Sequence, residues 1–356
     1  MISSGDVNGV SVIVGVDTHR DEHVAVALDQ LGTRVGTLRL ATTVQGYIDL
    51  ERWARELGEV AAFGVEGTGS YGAGLARFLM GRGYRVVEVN RPDRSTRRRV
   101  GKSDPTDAEM AARAVLAGVA DSTPKSGLDQ VEMIRMLKST KSSALKARTQ
   151  AMNQIKALLV TAPAPLRQAL RSLTSGRLVL RCAGLRSGAL VTPLAAAKRA
   201  LHLLARRYQH LTSEIRGLDL DLAQLTAAVA PALVSAFGIG ADSAAALLVT
   251  AGSNPERLRS EAAFAALCGV SPIPASSGRT NRHRLNRGGD RQANAALHRI
   301  VIVRLRFDPR TQAYMQRRRA EGLSKTEVIR CLKRYVAREV FAALHELGQR
   351  NVAMVA

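Results

Sequence analysis

The sequence predicts an α/β domain at the N-terminus, followed by two regions that are mainly helical. Three observations support this prediction. Short apolar runs alternate with helical patterns up to about residue 120, strand patterns disappear after residue 128, and glycine- and proline-bearing turns separate the helices that follow. We therefore expect an α/β domain over residues 1–124, a helical insert over residues 125–230 and a mainly α-helical domain over residues 231–356.

The first region has the pattern of five strands and three helices. Apolar runs or alternating polar and apolar residues mark the strands, and apolar residues three and four positions apart mark the helices. The predicted strands cover 12–16, 23–28, 34–40, 61–65 and 84–89, and the predicted helices cover 44–57, 75–80 and 108–116. Three consecutive strands followed by helix, strand, helix and strand is the order typical of a ribonuclease-H-like α/β layer.

A long helix is predicted between residues 194 and 225, where apolar positions are spaced alternately three and four apart. This 3.5-residue period predicts one helix of a coiled coil that joins two chains. An amphipathic helix packed on its own domain is the alternative. Residues 131–159 are also helical and would form the second arm, with the segment 172–193 as the tip or hinge between the arms. The apolar positions are Leu194, Ala197, Leu201, Leu204, Tyr208, Leu211, Ile215, Leu218, Leu222 and Leu225.

The C-terminal region begins with two helical patterns, 233–237 and 243–250, on either side of Gly238-Ile239-Gly240. This arrangement resembles a helix-hairpin-helix, in which backbone amides of the turn contact a phosphate. A simple glycine turn between helices is the alternative. Further helices are predicted over 292–305 and 325–344.

Composition favours a nucleic-acid partner. The chain has 356 residues, and its 52 Lys and Arg against 30 Asp and Glu give a net charge of +22. Aromatic residues make up only 4%, so stacking on bases should not dominate binding. The three cysteines, Cys182, Cys268 and Cys331, show neither zinc spacing nor a disulfide framework, which fits a reducing cytoplasm. We expect no signal peptide and no membrane span.

Four acids stand where a metal site could form. Asp17 and Glu66 end two predicted strands, and Asp104 and Asp107 lie three residues apart at the start of a helix. Four clustered carboxylates would repel one another unless a cation lay between them. Carboxylate oxygens suit Mg²⁺, with Mn²⁺ as the alternative, and two such ions can catalyse phosphodiester transfer. Each acid taken alone could be a surface or helix-capping residue.

Two histidines and one further acid lie close to these four acids along the chain. His19 and His23 are four apart near Asp17, but in a turn and strand this spacing does not place them on one face, and a hard metal favours the acids. Glu109, in the helix after Asp107, is the acid most easily confused with a ligand.

A second candidate feature is Ser276-Ser277-Gly278, which follows two prolines and precedes a basic stretch. A serine hydroxyl is a weak nucleophile until a base or a metal activates it, and acids of the first region could supply that metal. Basic residues before the paired aspartates and after the serines could contact phosphates. They are Arg97, Arg98, Arg99 and Lys102 before the aspartates, and Arg279, Arg282, Arg284 and Arg287 after the serines.

Several motifs together resemble the DEDD transposases of bacterial insertion sequences, the group that includes the Piv and MooV DNA invertases. The segments 14–19 (VGVDTH), 64–71 (GVEGTGSY) and 102–108 (KSDPTDA) carry the resemblance in the first region. The block from Gly269 through Pro272 and Ser277-Gly278 to Gly289-Asp290 is similar to the second domain of that family. The resemblance extends over nearly the whole chain, in the same order.

The resemblance implies an RuvC-like nuclease fold for residues 1–124 and a transposase domain over residues 231–356. It implies that the four acids bind metal and that Ser277, or the adjacent Ser276, forms a covalent link to DNA. It also implies a dimer or tetramer in the bacterial cytoplasm, associated with the nucleoid, and a noncoding bridge RNA that pairs with donor and target DNA. A DNA invertase without RNA, a junction-cutting nuclease that uses water, and a nucleic-acid-binding scaffold with structural acids are the alternatives.

Overall fold

The computed structural model describes residues 11–89, 103–125, 127, 129–252, 254, 258–279 and 283–355, with side chains described up to residue 346. The chain divides into two compact units. The first comprises residues 1–129 and 252–259, and the second comprises residues 130–251 and 260–356. The three functional regions expected from the sequence remain a prediction.

The first unit is built on a five-stranded mixed sheet. Its spatial order is β3-β2-β1-β4-β5. The first three strands are antiparallel neighbours, whereas β4 and β5 run parallel to β1. This arrangement agrees with the predicted ribonuclease-H-like layer. The strands are β1 (Ser11–Thr18), β2 (Glu22–Leu28), β3 (Arg34–Ala41), β4 (Glu59–Glu66) and β5 (Val86–Val89).

Among the described residues of this unit, three helices cover the two faces of the sheet: α1 (Val44–Leu57), α2 (Ala73–Gly81) and α3 (Asp104–Leu116). Alternation along β1 divides its side chains, because successive strand residues point to opposite faces. Val14 and Val16 join a buried cluster with α1 and α2. Val24 and Val26 of β2 pack with alanines of α3 on the other face. Asp17 and Gly15 therefore share the α3 face.

Two glycines allow α3 to lie directly against the strands. A Cβ atom on Gly15 would overlap the Ala108 carbonyl oxygen and the Ala112 nitrogen of α3. A Cβ atom on Gly64 would come within 2.7 Å of Val115 and 3.0 Å of the Ala111 carbonyl oxygen. The absence of side chains at these two strand positions thus sets the height of α3 above β1 and β4.

The start of α3 differs from the sequence prediction, which began this helix at residue 108. The structure begins it at Asp104, because Ser103 caps the helix by accepting a hydrogen bond from the Thr106 amide, at 3.4 Å. Pro105 lies in the first turn, where its missing N–H costs no hydrogen bond. Asp104 and Asp107 consequently lie one turn apart on the helix, beside its N-terminal dipole.

The second unit is helical apart from a small two-stranded ribbon. The long helices α4 and α7 pack on each other within the same chain. The helices are α4 (Gln130–Thr161), α5 (Ala164–Leu170), α6 (Ser175–Ala183), α7 (Pro193–Val229), α8 (Pro231–Ser235), α9 (Ala241–Ala251), α10 (Glu261–Leu267), α11 (Arg291–Phe307), α12 (Pro309–Ala320) and α13 (Lys325–Val355). The ribbon pairs β6 (Ile273–Pro274) with β7 (His283–Arg284) in antiparallel fashion.

The predicted coiled-coil helix exists as α7, and part of its apolar seam is covered by its own chain. Leu201 and Ala205 are fully buried in a cluster with Ile155 of α4 and Cys182 of α6. The segment 172–193, predicted as a tip or hinge, contains helix α6, whose Leu178, Val179 and Cys182 are buried in the same cluster. Pairing of α7 with a second chain remains a prediction.

A half-buried ion cluster joins the helices of the second unit. Lys141 of α4 contacts Asp219 of α7 at 2.6 Å and Asp242 of α9 at 2.7 Å. Lys138 and Arg299 also contact Asp242, at 2.8 and 3.1 Å. Burial alone would raise the pKa of Asp242, but hydrogen bonds from the two lysines outweigh it and lower the pKa to about 2. The cluster therefore depends on an ionised Asp242.

The two helices predicted on either side of Gly238-Ile239-Gly240 are present as α8 and α9, although α8 ends at Ser235 and not at residue 237. The helix-hairpin-helix resemblance and its phosphate contact remain predictions. Gly238 has a φ of +82°, which favours glycine at this turn. Arg304 of α11 donates to the Phe237 carbonyl at 2.9 Å and so fastens the turn to the helices behind it. None of the helices in the described residues combines the length and the apolar character that crossing a membrane requires.

Candidate active site

The described residues bring two of the predicted acids together with a histidine. The Nε2 atom of His19 lies 3.2 Å from Oδ2 of Asp17 and 3.4 Å from Oδ1 of Asp104. One ligand atom from each of these residues lies within 4.8 Å of the other two, a spacing compatible with one metal ion. We call Asp17, His19, Asp104 and Asp107 the acid cluster. They come from the end of β1, the turn after it and the start of α3.

Asp107 lies one turn further along α3 and is buried, with only 3% of its surface exposed. Its charge acts on Asp17. Burial raises the pKa of Asp17, the charge of His19 opposes this, and the charges of Asp107 and Asp104 raise the pKa further. Like charges therefore crowd at this point, which is the condition that a divalent cation would relieve.

Glu66 ends the strand beside Asp17. In the parallel register Val16 pairs with Val65, so Asp17 and Glu66 follow at the same edge of the sheet. The Thr18 hydroxyl donates to the Glu66 carbonyl oxygen at 2.8 Å and ties the two strand ends together. Gly72 packs so closely on that carbonyl that a Cβ atom would lie 2.7 Å from it. Glu66 and Asp107 lie outside the three-residue group described above, and both remain predicted ligands.

His19 is a residue that spacing in the sequence did not favour as a ligand. Its position is set by a hydrogen bond from its own backbone amide to Nδ1 of His23, at 3.3 Å. The His23 ring is fully buried and stacks on Tyr47, with ring centroids 6.0 Å apart. Burial lowers the pKa of His23, so the ring is held neutral. The motif of Asp17, His19 and His23 was visible in the sequence, but the turn that aims His19 at the acids was not.

Glu109, the acid most easily confused with a ligand, is held by arginines instead. Arg34 of β3 and Arg113 of α3 both form ion pairs with it. Burial alone would raise the pKa of Glu109, but hydrogen bonds from Arg34 and Arg113 lower it. Glu109 therefore joins β3 to α3 and serves as a structural comparison for the acids of the cluster.

Ser277 belongs to the second unit, where it is exposed in the connection between β6 and β7. Gly278, directly after it, has a φ of +55°, a backbone conformation that favours glycine. Ser276 is exposed as well and has an interaction partner. We call β6, residues 275–279 and β7 together the serine hairpin.

The base of the serine hairpin is held by the Gly288-Gly289-Asp290 motif and the helix after it. Asp290 caps α11 by accepting hydrogen bonds from the Gln292 and Ala293 amides, at 2.7 and 2.9 Å. Asn294 donates to the carbonyl oxygens of Cys268 and Gly269, at 2.9 and 3.0 Å. This motif fixes the chain that leads into and out of the hairpin.

Three of the eight predicted basic residues lie in the part of the chain that the structure describes. Arg279, Arg284 and Arg287 are exposed, the first two within the serine hairpin and the third just after it. The others lie outside the described residues: Arg97, Arg98, Arg99, Lys102 and Arg282. The nucleic-acid contacts of all eight remain predictions.

Two family models match the chain. One, described as a transposase and built on the DEDD domain of the IS110 group, matches residues 14–162. The second, described as the transposase of the IS116/IS110/IS902 family, matches residues 230–316. The first match contains all four predicted acids, and the second contains Ser277 and the motif around Gly289.

Curated relatives come from insertion elements of bacteria. The chain is 24% identical over 386 aligned positions to an uncharacterized 42 kDa protein of the insertion element IS900 from Mycobacterium paratuberculosis, covering 94% of this chain and 96% of that protein. It is also 33% identical over 135 residues to an uncharacterized 43.6 kDa protein of the insertion element IS110 from Streptomyces coelicolor, covering 37% of this chain and 33% of that protein.

Proposed function

The chain belongs to the IS110 family of DEDD transposases, enzymes of insertion elements that cleave and recombine DNA, and we propose that it does so with Ser277 as nucleophile and metal ions held by its acids. The observation that carries this proposal is the convergence of Asp17, His19 and Asp104, whose ligand atoms lie within 4.8 Å of one another. These acids converge although the protein has a net charge of +22. A bound cation would offset the repulsion between their carboxylates.

The donor set fits a divalent cation. The proposed ligands are Asp17, Glu66, Asp104 and Asp107, and the structure adds His19 to them. Carboxylate oxygens suit Mg²⁺, and Mn²⁺ also accepts an imidazole nitrogen. When bound, such ions stabilise the charge that develops on a phosphodiester and activate the attacking oxygen.

Ser277 would form the covalent link. Its Oγ attacks the scissile phosphorus, a bond from Oγ to phosphorus forms, and the bond from phosphorus to the sugar oxygen breaks. The serine proton passes to solvent and the released sugar oxygen takes one up, so protons balance. A hydroxyl of the second DNA strand then attacks the phosphoserine, which joins the strands and restores Ser277. Arg279 lies in the same hairpin, two residues after Ser277, and would hold the phosphate.

Ser277 and the acids belong to different compact units. We propose that the transposase acts as a dimer or tetramer, in which the serine of one protomer can meet the acids of another, with α7 as the pairing element. We also propose that a bridge RNA selects donor and target DNA in the bacterial cytoplasm, at the nucleoid. A site-specific invertase without RNA remains the alternative, as does a junction nuclease that uses water.

The decisive experiment is a search for a protein–DNA adduct with the full-length chain, donor DNA and Mg²⁺. Wild-type protein and the Ser276→Ala variant should give a covalent adduct, and Ser277→Ala should give none. An adduct that persists in Ser277→Ala but disappears in Ser276→Ala would transfer the role to the neighbouring serine. Mg²⁺-dependent cleavage without an adduct in the wild type would favour the water-using nuclease.

Two acids of helix α3, Asp104 and Glu109, allow metal-dependent cleavage to be tested separately from folding. Asp104→Ala should abolish Mg²⁺-dependent cleavage and leave DNA binding intact, whereas Glu109→Ala, which removes the ion pairs with Arg34 and Arg113, should affect stability more than cleavage. Equal cleavage by Asp104→Ala and wild type would contradict the metal site. DNA binding without any Mg²⁺-dependent cleavage by the wild type would favour a scaffold with structural acids.

RNA guidance requires its own test. Purified transposase should recombine donor and target DNA only after addition of RNA transcribed from the sequence that flanks its gene. Efficient recombination in RNase-treated samples would point to the invertase alternative.

A further inference from the structure

A cavity of about 520 Å³ lies in the second unit, between helices α12 and α13 and the base of the serine hairpin. Pockets for small organic ligands have volumes of about 300–1,000 Å³. Seven of the seventeen residues that line this cavity are Lys or Arg, and none of the seventeen is Asp or Glu. The cavity therefore has the size of a small-ligand site and a strongly positive wall.

Only part of this positive charge is neutralised among the described residues. Glu261 pairs with Arg334 and Arg338. Glu321, outside the cavity wall, pairs with Arg317 and Arg318.

Three cations of the wall form no ion pair with a carboxylate within 4 Å among the described residues: Arg284 of β7, and Arg330 and Lys333 of α13. The charge of Arg330 acts on Glu327, which lies one turn earlier in α13 and outside the cavity wall. Lys333 donates to the neutral Asn294 side chain at 2.6 Å. Burial is the main cause that lowers the pKa of Lys333, and the nearby positive charge of Arg330 lowers it further. In addition, Nε of Arg318 is buried without a hydrogen-bond partner in the described part of the chain. An anion bound here would relieve the repulsion.

The same cavity has an aromatic wall, although the protein is poor in aromatic residues. Tyr314 and Tyr335 pack edge to face, with ring centroids 5.6 Å apart and planes at 84°. Tyr335 is 46% exposed although the Arg338 guanidinium lies 5.9 Å from its ring centroid, so part of the side chain remains open to solvent. Val270, Pro272 and Leu285 add apolar surface. A ligand that fits would combine an anionic group with a flat ring.

The cavity adjoins the proposed nucleophile along the chain. Gly269 to Pro272 lead into the serine hairpin and form part of the cavity wall, and His283 to Asn286 lead out of it and form another part. A ligand seated in the cavity would therefore contact β7 and the segment that leads into β6, at the base of the hairpin that carries Ser277.

We infer that this cavity binds one unstacked nucleotide of a single nucleic-acid strand, with the phosphate against Arg284, Arg330 and Lys333 and the base on Tyr335. The inference rests on the proposed function, because the strand would be either a DNA strand that reacts or the RNA that guides the transposase. A nucleotide that is paired and stacked in a duplex could not present its base to Tyr335, so the site distinguishes single strands from duplexes.

Fluorescence anisotropy with the full-length protein, without Mg²⁺, tests this inference. The probes are labelled oligothymidylate, oligouridylate and a mixed-sequence DNA duplex of equal length. Tyr335→Ala should weaken binding of the single strands by about 5- to 100-fold, the range expected for loss of one stacking contact, and change duplex binding little. Tyr335→Phe should bind as wild type, because it retains the ring.

Phe307 supplies a matched control. It is 60% exposed and has Arg306 over its ring at 5.1 Å, much as Tyr335 has Arg338 at 5.9 Å, but it does not line the cavity. Phe307→Ala should leave single-strand affinity unchanged. Equal losses in Phe307→Ala and Tyr335→Ala, or equal losses for duplex and single strand, would overturn the inference.

The phosphate contact has a separate measurement. Arg330→Ala should reduce the slope of log affinity against log salt by about 0.7 for single strands, and the exposed Arg310→Ala, outside the cavity, serves as its control. If an oligoglutamate peptide competed as effectively as oligothymidylate, the cavity would be a general anion site. That result would contradict the nucleotide assignment.

Comparison of oligothymidylate with oligouridylate also identifies whether the bound strand is DNA or RNA. Preference for oligothymidylate would assign the site to a reacting DNA strand, and preference for oligouridylate would assign it to a guide RNA. Loss of the Ser277 adduct in the earlier experiment leaves these affinities unaffected, because no cleavage is involved. Failure of the covalent mechanism and failure of the nucleotide site are therefore distinguishable.

Discussion

Substitution of Gly15 by alanine should damage the acid cluster without changing any of its residues. A Cβ atom at this position would lie much closer to the Ala108 carbonyl oxygen and the Ala112 nitrogen than the 3.0 Å below which real Cβ atoms essentially never approach. Both atoms belong to the backbone of α3, so no side-chain rotation can relieve the overlap. Restoring ordinary contact at 3.4 Å would require α3 to retreat from β1 by more than about 1 Å.

Two magnitudes follow from that displacement. Overpacking of a core typically costs about 1–3 kcal/mol, and we expect a loss of this size in the free energy of unfolding of the first unit. Because α3 carries Asp104 and Asp107 while Asp17 stays on β1, the acids separate. A misplacement of about 1 Å in a catalytic site can reduce the rate about 100-fold.

Urea unfolding followed by circular dichroism, together with a plasmid recombination assay, measures both effects. The control is Gly81→Ala, since a Cβ atom at this exposed end of α2 meets nothing within 4 Å. That control should change stability by less than about 1 kcal/mol and leave recombination intact. Wild-type stability in Gly15→Ala would refute the packing argument. If Gly15→Ala lowered stability but its folded fraction still recombined DNA at the full rate, the position of α3 would not control the spacing of the acids.

Three further predictions concern single residues. The carboxyl of Asp242 has a pKa of about 2 in the folded protein against an ordinary value of 3.8, so it stabilises the fold above about pH 3.8 and loses that contribution as the pH falls towards about 2. Asp242→Asn should lower stability at neutral pH and flatten the acid limb of a urea-unfolding series. Burial raises the pKa of the Cys268 thiol to about 12, so iodoacetamide at mildly alkaline pH should leave Cys268 unmodified in the native protein and alkylate it in urea, as peptide mass spectrometry would reveal. His19→Ala should weaken Mn²⁺ binding in calorimetry by at least about 10-fold with the fold intact, and unchanged affinity would remove His19 from the ligands.

Much of the first unit was predictable because its signals are local. Strand alternation places Gly15 and Asp17 on one face, and the parallel neighbours β1 and β4 bring Asp17 and Glu66 to the same edge of the sheet. The predicted helix start was four residues too late, because the capping role of Ser103 and the first-turn position of Pro105 depend on backbone geometry that the apolar pattern does not reveal.

The helical insert shows where periodicity stops being informative. A 3.5-residue repeat states that one face of α7 needs an apolar partner, but it does not identify that partner. In the structure Leu201 and Ala205 face α4 and α6 of the same chain. Antiparallel packing inside a chain and pairing between chains bury the same residues, so the periodic pattern cannot separate them.

By itself, the sequence predicted the succession of strands and helices in the first unit, the four acids proposed as metal ligands, the family of insertion-element transposases and the serine motif. Only the tertiary structure decided that His19 lies between Asp17 and Asp104, that Glu109 is taken by arginines from another strand, and that uncompensated cations and Tyr335 share one cavity. The physical reason is the same in each case. Local pattern fixes which face of an element is apolar, whereas electrostatic and stacking partners depend on distances between residues far apart along the chain.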